Sequence, residues 1–338
     1  MQADSTPSLA RVRAGGTVLS LIAAPLSVPI LRAHLDGPLR LPELRERIGG
    51  AAQTTLRGQV GNLRGIGALE KRVLGGMPYT VENELTEAGR GVLAVAEVVE
   101  AWLARAPQGA IPLGSEPAKG ALRAVIGGWG SAMLRALAAR PLSLTELSSV
   151  IGDHSYPALE RRLSAMRAAR QVEPMPDGER GKPYAVTTWT RQAVWPLVTA
   201  GHCECQHFAE TTEPLSRIDI EAAFLLAVPL ADLEITRGGS CLLGVDTGED
   251  RWVETLDRLA GVHVEVEEGK IASCSSRLVR DPRTWALGSV MSWVDAILEG
   301  KLDRLRVGGE SPDLARALIE GLHAALVPAE LARDGDRR

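Results

Sequence analysis

Cysteine is scarce in this 338-residue chain, with only Cys203, Cys205, Cys241 and Cys274 at irregular spacing. So few, so unevenly placed, they exclude the disulfide framework of a small secreted scaffold. Lysine is scarcer than its charge partner: five residues (71, 119, 182, 270 and 301) against 33 arginines. Long apolar runs are missing, because Gly127, Ser131 and Arg135 break the best candidate near residue 126; no membrane span or membrane partner is expected. The N-terminus carries no charged, apolar and small-residue secretory pattern, so the expectation is a cytoplasmic protein. Also absent are a nucleophile elbow, a Walker loop and a dinucleotide-binding glycine fingerprint. The Gly-Gly pairs at 15, 49, 75, 127, 238 and 308 read as turns. Nothing argues for an enzyme or a cofactor.

A composition of 45% hydrophobic and 24% charged residues is that of an ordinary globular protein, and the length suggests two or three domains. The net charge of −4 is unevenly spread: residues 1–110 carry +2, 111–215 carry +1 and 216–338 carry −7. The last third is therefore unsuited to DNA, and any phosphate-binding face in the first two thirds needs local clustering of arginine.

The chain states one motif twice. Residues 30–50 and 133–153 are identical at ten of 21 ungapped positions, sharing Leu-Arg-Ala, Pro-Leu, Leu, Glu-Leu and Ile-Gly, as expected of a duplicated unit. The offset of 103 continues through Leu56, Val60, Leu63 and Arg64 to Leu159, Leu163, Met166 and Arg167. Pairing Pro78-Tyr79 with Pro183-Tyr184 gives a shift of 105, which places a two-residue length change in a loop or hairpin.

In the first unit Ser27-Val28-Pro29 predicts a helix start with the hydroxyl as cap. Leu41-Pro42-Glu43 opens a second helix, and Gln53 to Leu63 a third, with Leu56, Val60 and Leu63 on one face. Strands are expected at 69–74 and 77–81, then a helix over 86–104. The second unit repeats this: 129–139, 144–151, 156–169, a hairpin over 172–186 with Asp177-Gly178 at its tip, and a helix from Arg191. Residues 105–119 and 209–217 read as linkers. From Ile218 the pattern changes to a helix (220–230), strands at 241–245, 262–266 and 271–275, a helix over 282–298, a strand at 305–307 and a final helix from Pro312 to Leu326. Glu268-Gly269 predicts a tight hairpin turn. The expected fold is mainly α with small β elements: two tandem winged helix-turn-helix domains (17–105 and 120–208) and an α+β domain (218–328).

Both repeats resemble HxlR-type winged-helix regulators. The first does so through Pro38, Leu41, Glu43-Leu44, Ile48-Gly49 and Leu85-Thr86-Glu87-Ala88-Gly89-Arg90. The second does so through Trp129, Met133-Leu134, Pro141, Glu146-Leu147, Ile151, Ser155, Leu159, Arg162-Leu163 and Pro183-Tyr184. The resemblance implies double-stranded DNA as partner, the third helix in the major groove and the hairpin on the phosphates. Candidate DNA-contacting residues in the first unit are Gln53, Thr54, Thr55, Arg57, Gln59 and Arg64, with Lys71 and Arg72 in the hairpin. In the second they are Ser155, Tyr156, Arg161 and Arg162, with Arg180 and Lys182 in the wing. Amide and guanidinium groups suit base edges and phosphates, although a merely solvated helix face has the same composition. In the first unit Gly58 and Gly61 weaken the helix and Ala52 replaces the cap serine. Two copies in one chain supply the pair of helices that a dimer otherwise provides, and a homodimer of the whole chain stays open.

The last third resembles the sterol-carrier-protein type of lipid-binding domain, through 300–310, Leu314, Leu318 and Asp281-Pro-Arg-Thr-Trp285. That resemblance implies an apolar tunnel for an apolar small molecule, with Phe224, Leu225, Trp252, Trp285, Trp293 and Leu298 as lining candidates; packed core is the better account of each residue taken alone, while the concentration of tryptophan at 252, 285 and 293 favours a pocket for a flat ligand. His202-Cys-Glu-Cys-Gln-His207 has a composition zinc accepts, but adjacent positions fall on opposite helix faces, so no metal is expected. Two readings follow. One is a transcriptional regulator responsive to an apolar ligand. The other is a sequestering, self-resistance protein whose winged helices serve as scaffold.

Overall fold

The computed structural model describes residues 15–75, 80–126, 132–152, 155–176, 182–208, 215–235, 238–247 and 258–327. Helix α1 (Gly16–Ala23) precedes α2 (Ser27–Ala33), α3 (Leu41–Arg47) and α4 (Gln53–Gly65). The hairpin β1 (Leu69–Leu74) and β2 (Thr80–Leu85) follows, then α5 (Glu87–Leu103). The order then repeats as α6 (Glu116–Ile126), α7 (Ala132–Ala139), α8 (Leu144–Ile151), α9 (Tyr156–Ala168), β3 (Val172–Pro174), β4 (Tyr184–Val186), α10 (Thr188–Arg191) and α11 (Val194–His207).

Local chemistry explains why the duplicated glutamate is there. Glu43 accepts a hydrogen bond from the Arg40 backbone N–H at 2.8 Å. Glu146 does the same for Ser143 at 2.8 Å while the Ser143 hydroxyl caps Glu146 N and donates to its carboxylate, a full capping box at α8; α3 has only the glutamate half, since the Arg40 side chain accepts no hydrogen bond. These bonds hold the Glu146 carboxyl well below the usual glutamate range, at about 2, helped by the Arg140 guanidinium. In the first unit Thr86 caps α5 through Gly89 N and donates to the carbonyls of Gly67 and Ala68. In the second Thr187 caps α10 and donates to Arg170 and Gln171.

That correspondence corrects the expected hairpin alignment. Leu39 bridges Asn83 and Leu142 bridges Tyr184, and Thr86 matches Thr187, so the offset falls from 103 to 101 across the wing. The second hairpin is two residues shorter, whereas pairing Pro78-Tyr79 with Pro183-Tyr184 made it longer. Leu85-Thr86 and Arg90 then align with Val186-Thr187 and Arg191. The strand expected at 77–81 runs instead over Thr80–Leu85, paired antiparallel with β1 from Leu69–Leu85 to Leu74–Thr80.

Other expectations also move. Ser27 is not a helix cap: α2 has Leu26 in that position, and the buried Ser27 hydroxyl accepts from Gln59 Nε2 at 2.7 Å. Helices α1 and α6 lie outside the expected winged-unit helices, and the first turn of α6 occupies the end of the supposed linker 105–119. That linker is packed, with Ala106 and Ile111 buried. The helix expected from Arg191 is broken, α10 starting at Thr188 and α11 at Val194. Trp129, the hairpin tip at Asp177-Gly178 and most of the second linker lie outside the described residues.

Corresponding helices of the two units pack on each other, α1 on α6 and α5 on α11, as in a two-fold pair. Val18, Leu19 and Ile22 of α1 and Ala121, Leu122 and Val125 of α6 are all buried. At one end of the α5–α11 pair the Trp102 and Trp189 rings stack. Helix α1 is tied to α11 by a buried carboxylate: Glu204 accepts from Gly15 N at 3.0 Å and from Val18 N at 2.8 Å. Glu204 thus caps α1 from another unit, satisfying donors no helix satisfies internally. Gly15 has φ +82°, and a Cβ there would lie 2.8 Å from Gly201 N and Leu197 O, so only glycine permits this approach.

The third part starts with α12 (Arg217–Ala227), inside the expected second linker and ending before Leu230, where a single 3-10 turn covers Val228–Leu230. Five strands follow, β5 (Gly239–Asp246), β6 (Leu259–Glu267), β7 (Lys270–Ser275), β8 (Thr284–Gly288) and β9 (Arg306–Gly309), with α13 (Val290–Glu299) and α14 (Pro312–Leu326). They form one sheet in the order β7-β6-β5-β8-β9. Only β5 and β8 run parallel. Glu268 (φ 49°) and Gly269 (φ 76°) make the expected tight turn between β6 and β7. The expected helix over 282–298 is half wrong: Thr284–Gly288 is a strand, its residues alternating in burial as a sheet requires, and the helix begins only at Val290. The sheet is larger than the small β elements expected. Helix α12 packs on β6, and α14 packs across β5, β8 and β9.

Candidate nucleic-acid interface and apolar cavity

Helix α4 buries Leu56, Val60 and Leu63, and α9 buries Leu159, Leu163 and Met166. Each therefore presents its opposite face to solvent. Gln53, Thr54, Thr55, Arg57 and Arg64 on α4 are exposed, as are Ser155, Tyr156, Arg161 and Arg162 on α9. Gln59 is not available as expected: its amide is half-buried and donates to Ser27. Ser155 occupies the cap position of α9 without making a side-chain cap bond.

On β1, Lys71 and Arg72 are exposed, but Arg72 pairs with Glu84 at 3.5 Å, and a groove contact has to compete with that carboxylate. The neighbouring cross-strand pair Val73–Val81 is 54% and 39% exposed, an apolar strip along the first wing. Lys182 is exposed beside β4, and Arg180 lies outside the described residues. Arg167 stacks 5.5 Å above the Tyr184 ring, tying α9 to its wing.

Of the residues expected to line an apolar site, only Phe224 and Trp293 meet at a cavity. Their rings are edge-to-face at 4.9 Å, and Trp293 Nε1 donates to Gly244 O at 2.8 Å, orienting the indole. Leu225 is buried core, Leu298 is half-buried on α13, and neither lines that cavity. Trp285 belongs to β8 and covers Gly308, where a Cβ would lie 2.5 Å from its ring. Trp252 lies outside the described residues. The cavity, about 80 Å³, is not a tunnel within the last domain but a junction. Its walls are α11 of the second unit (Val194, Leu197, Val198, Gly201, His202, Cys205), α12 (Ile220, Ala223, Phe224, Ala227) and α13 (Val290, Met291, Trp293, Val294, Ile297), closed by Leu215, Val245 and Leu322.

Sequence reasoning missed the α11 wall. The signal was present, since 194, 197, 198, 201, 202 and 205 trace one helical stripe, but such a stripe equally marks core. His202 is the polar exception. Burial lowers its pKa below the ordinary histidine value, with Asp295 and Glu299 opposing. Nε2 faces Gln206 Nε2 at 2.9 Å, and Nδ1 is buried with no hydrogen-bond partner among the described residues. Burial pushes the thiols of Cys203, Cys241 and Cys274 up to about 12, so they are protonated at neutral pH. Among the described residues no three His, Cys, Asp or Glu side chains converge as metal ligands. None of the described helices is by itself long and apolar enough to cross a membrane; α1 and α2 together have the composition but bend by 85°.

Four helices, the fourth with an exposed polar face, followed by an antiparallel hairpin and the long α5, give residues 16–103 the order of a helix-turn-helix domain. Residues 22–108 match the HxlR-like helix-turn-helix family. Among solved structures, diamide-treated YodB from B. subtilis is 30% identical, covering 28% of this chain and 92% of that one, with a TM-score of 0.26. The reduced form of the transcriptional regulator YodB from B. subtilis is 32% identical, covering 22% of this chain and 74% of that one, with a TM-score of 0.21. No curated protein matches the chain. Residues 22–108 thus carry an HxlR-like helix-turn-helix domain, which supports a DNA-binding transcriptional regulator. The matched domain contains no cysteine, so thiol chemistry cannot act within it.

Proposed function

We propose that this protein is a transcriptional regulator in which two winged units of one chain act as the DNA-binding pair, with an apolar small molecule as effector. HxlR-like regulators bind DNA and commonly act as dimers. The observation that carries the reading is the packing of α1 on α6 and α5 on α11: the surfaces that two subunits would share are used up within one chain, while α4 and α9 keep outward polar faces. In this reading residues 16–103 and 116–207 are the winged units, and residues from 217 onward form the effector-responsive domain, whose charge of −7 over 216–338 keeps it off the duplex.

The two third helices differ, so the operator is an imperfect rather than a symmetric repeat. Arg57 and Arg64 serve the first half-site, Arg161 and Arg162 the second, with Lys71 and Lys182 on phosphates. The sequestering alternative draws support from the weak basic balance and from the first unit's third helix, uncapped at Ala52 and with Gln59 engaged by Ser27; against it, both third helices face solvent.

A gel-shift assay on the DNA upstream of the protein's own gene, titrated with salt, tests the proposal. Saturable, sequence-dependent retention whose affinity falls steeply with salt supports it. Absence of retention at low salt, with intact folding, rejects it in favour of sequestration.

A further inference from the structure

We propose that the cavity between α11, α12 and α13 is the effector site, that it takes a small neutral ring compound bearing one hydrogen-bonding oxygen, and that α11 reports its occupancy to the paired winged units. The last clause rests on the regulator reading; the first two stand on the cavity itself.

The ligand chemistry follows from the walls. Apart from His202 and the Cys205 thiol, the lining side chains are hydrocarbon, aromatic and, at Met291, thioether, and a charged ligand would lose its hydration there without a counter-ion. Phe224 and Trp293 present an edge-to-face aromatic corner, which suits a flat ring. His202 supplies the polar handle. Its imidazole is held neutral by burial, and Nδ1 has no partner among the described residues. A hydroxyl oxygen both donates and accepts, so it satisfies Nδ1 in either tautomer.

Transmission follows from size and from the two faces of α11. At about 80 Å³ the cavity is smaller than a benzene-binding engineered cavity, for which about 150 Å³ is typical. A ring enters only if a wall yields. Helices α12 and α13 pack on the sheet of their own domain, whereas α11 belongs to the preceding unit. On its other face α11 carries Glu204, which caps α1. Cys203 and His207 lie 3.1 Å from a Cβ placed on Gly91 of α5. Displacement of α11 therefore disturbs two of the contacts that join the first unit to the second, α1–α11 and α5–α11, and with them the relative setting of α4 and α9. A ligand binding the displaced arrangement better shifts the population toward it.

Phenol and toluene are matched probes, differing in one hydrogen-bonding group. Calorimetric titration of the full chain should show phenol binding about fivefold tighter than toluene. His202→Leu should abolish the difference while keeping toluene, and two cavity-filling variants on opposite walls, Ala223→Phe and Val198→Phe, should lose both probes while melting as cooperatively as the parent. Saturating phenol should change retention of upstream DNA, and the filled variants should ignore it. Failure of both probes to bind, or undiminished binding by both filled variants, overturns the site. Equal binding of phenol and toluene overturns the role of His202. Phenol binding with unchanged DNA affinity overturns transmission through α11. If the unliganded protein retains no DNA at all, the regulator reading and the transmission clause fall together, while the titration still decides the site.

Discussion

Trp102 and Trp189 hold each other by an exchange of hydrogen bonds: the indole N–H of Trp102 donates to the carbonyl of Trp189 at 2.8 Å, and that of Trp189 donates to the carbonyl of Trp102 at 3.0 Å. The rings stack at 4.8 Å and 10°. Each indole N–H thus finds the other residue's carbonyl across the boundary between the two units, in a buried setting where an unpaired donor is costly.

Trp189→Phe keeps a ring in the stack but removes the indole donor to the Trp102 carbonyl, which still accepts from Arg105 N at 3.1 Å, and should lower stability by about 0.5–1.5 kcal/mol. Trp189→Ala should cost about 3–5 kcal/mol. Denaturant midpoints measure both, and a phenylalanine variant as stable as the parent would show that the exchange contributes nothing.

Glu204→Gln leaves the side chain one good acceptor for two backbone donors, Gly15 N and Val18 N. A loss of about 1.5–3 kcal/mol is expected for a charge-assisted pair. Hydrogen exchange should show the amides of residues 15 and 18 losing protection before those of α4. Unchanged protection there would remove Glu204 as the anchor of α1.

His34 is 1% exposed, donates Nδ1–H to the Ile30 carbonyl at 2.7 Å and has no partner for Nε2 among the described residues. Burial, with Arg47 nearby, lowers its pKa, so as pH falls below about 6.5 the unfolded chain takes up the proton first. Stability attached to this residue is therefore present above that value and lost on acidification. The repeat places Leu137 at the corresponding position, fully buried. His34→Leu should match or exceed parental stability at neutral pH and flatten its decline between pH 6.5 and 5, as thermal melts across that range would reveal.

A Cβ on Gly58 or Gly61 of α4 would meet nothing within 4 Å. Alanine at either position should stabilise the helix by up to about 1 kcal/mol, read as a higher denaturant midpoint. A decrease would mean that the glycines serve a close approach absent from the free protein.

Arg161→Ala should weaken DNA binding nearly equally for all sequences and reduce the salt slope by about 1 if the side chain serves a phosphate. Discrimination lost at a single base position would instead assign it to a base edge. An unchanged affinity would take Arg161 out of the interface.

Much of the N-terminal architecture was legible because it rests on local signals. The stripes Leu56-Val60-Leu63 and Leu159-Leu163-Met166 placed α4 and α9 to within two residues, and Pro312 marked the start of α14. The wing was misaligned because Pro-Tyr, a coincidence of two residues, outweighed the Thr86/Thr187 cap, whose role shows only when both strands are present. Thr284–Gly288 was misread because its apolar continuity with 290–298 looks the same in strand and helix. Helices α1 and α6 are short, and their stability comes from packing on each other. The cavity was least legible: α11, α12 and α13 are separate in sequence, and nothing local distinguishes a stripe that lines a void from one that fills a core.

The pairing of α1 with α6 and α5 with α11 inside one polypeptide has a consequence for dosage. Partners tethered by their own backbone do not part on dilution, so occupancy of a target should rise with the first power of protein concentration rather than its square. In the proposed regulator each copy can therefore drift toward its own half of an unsymmetrical target without having to suit a twin.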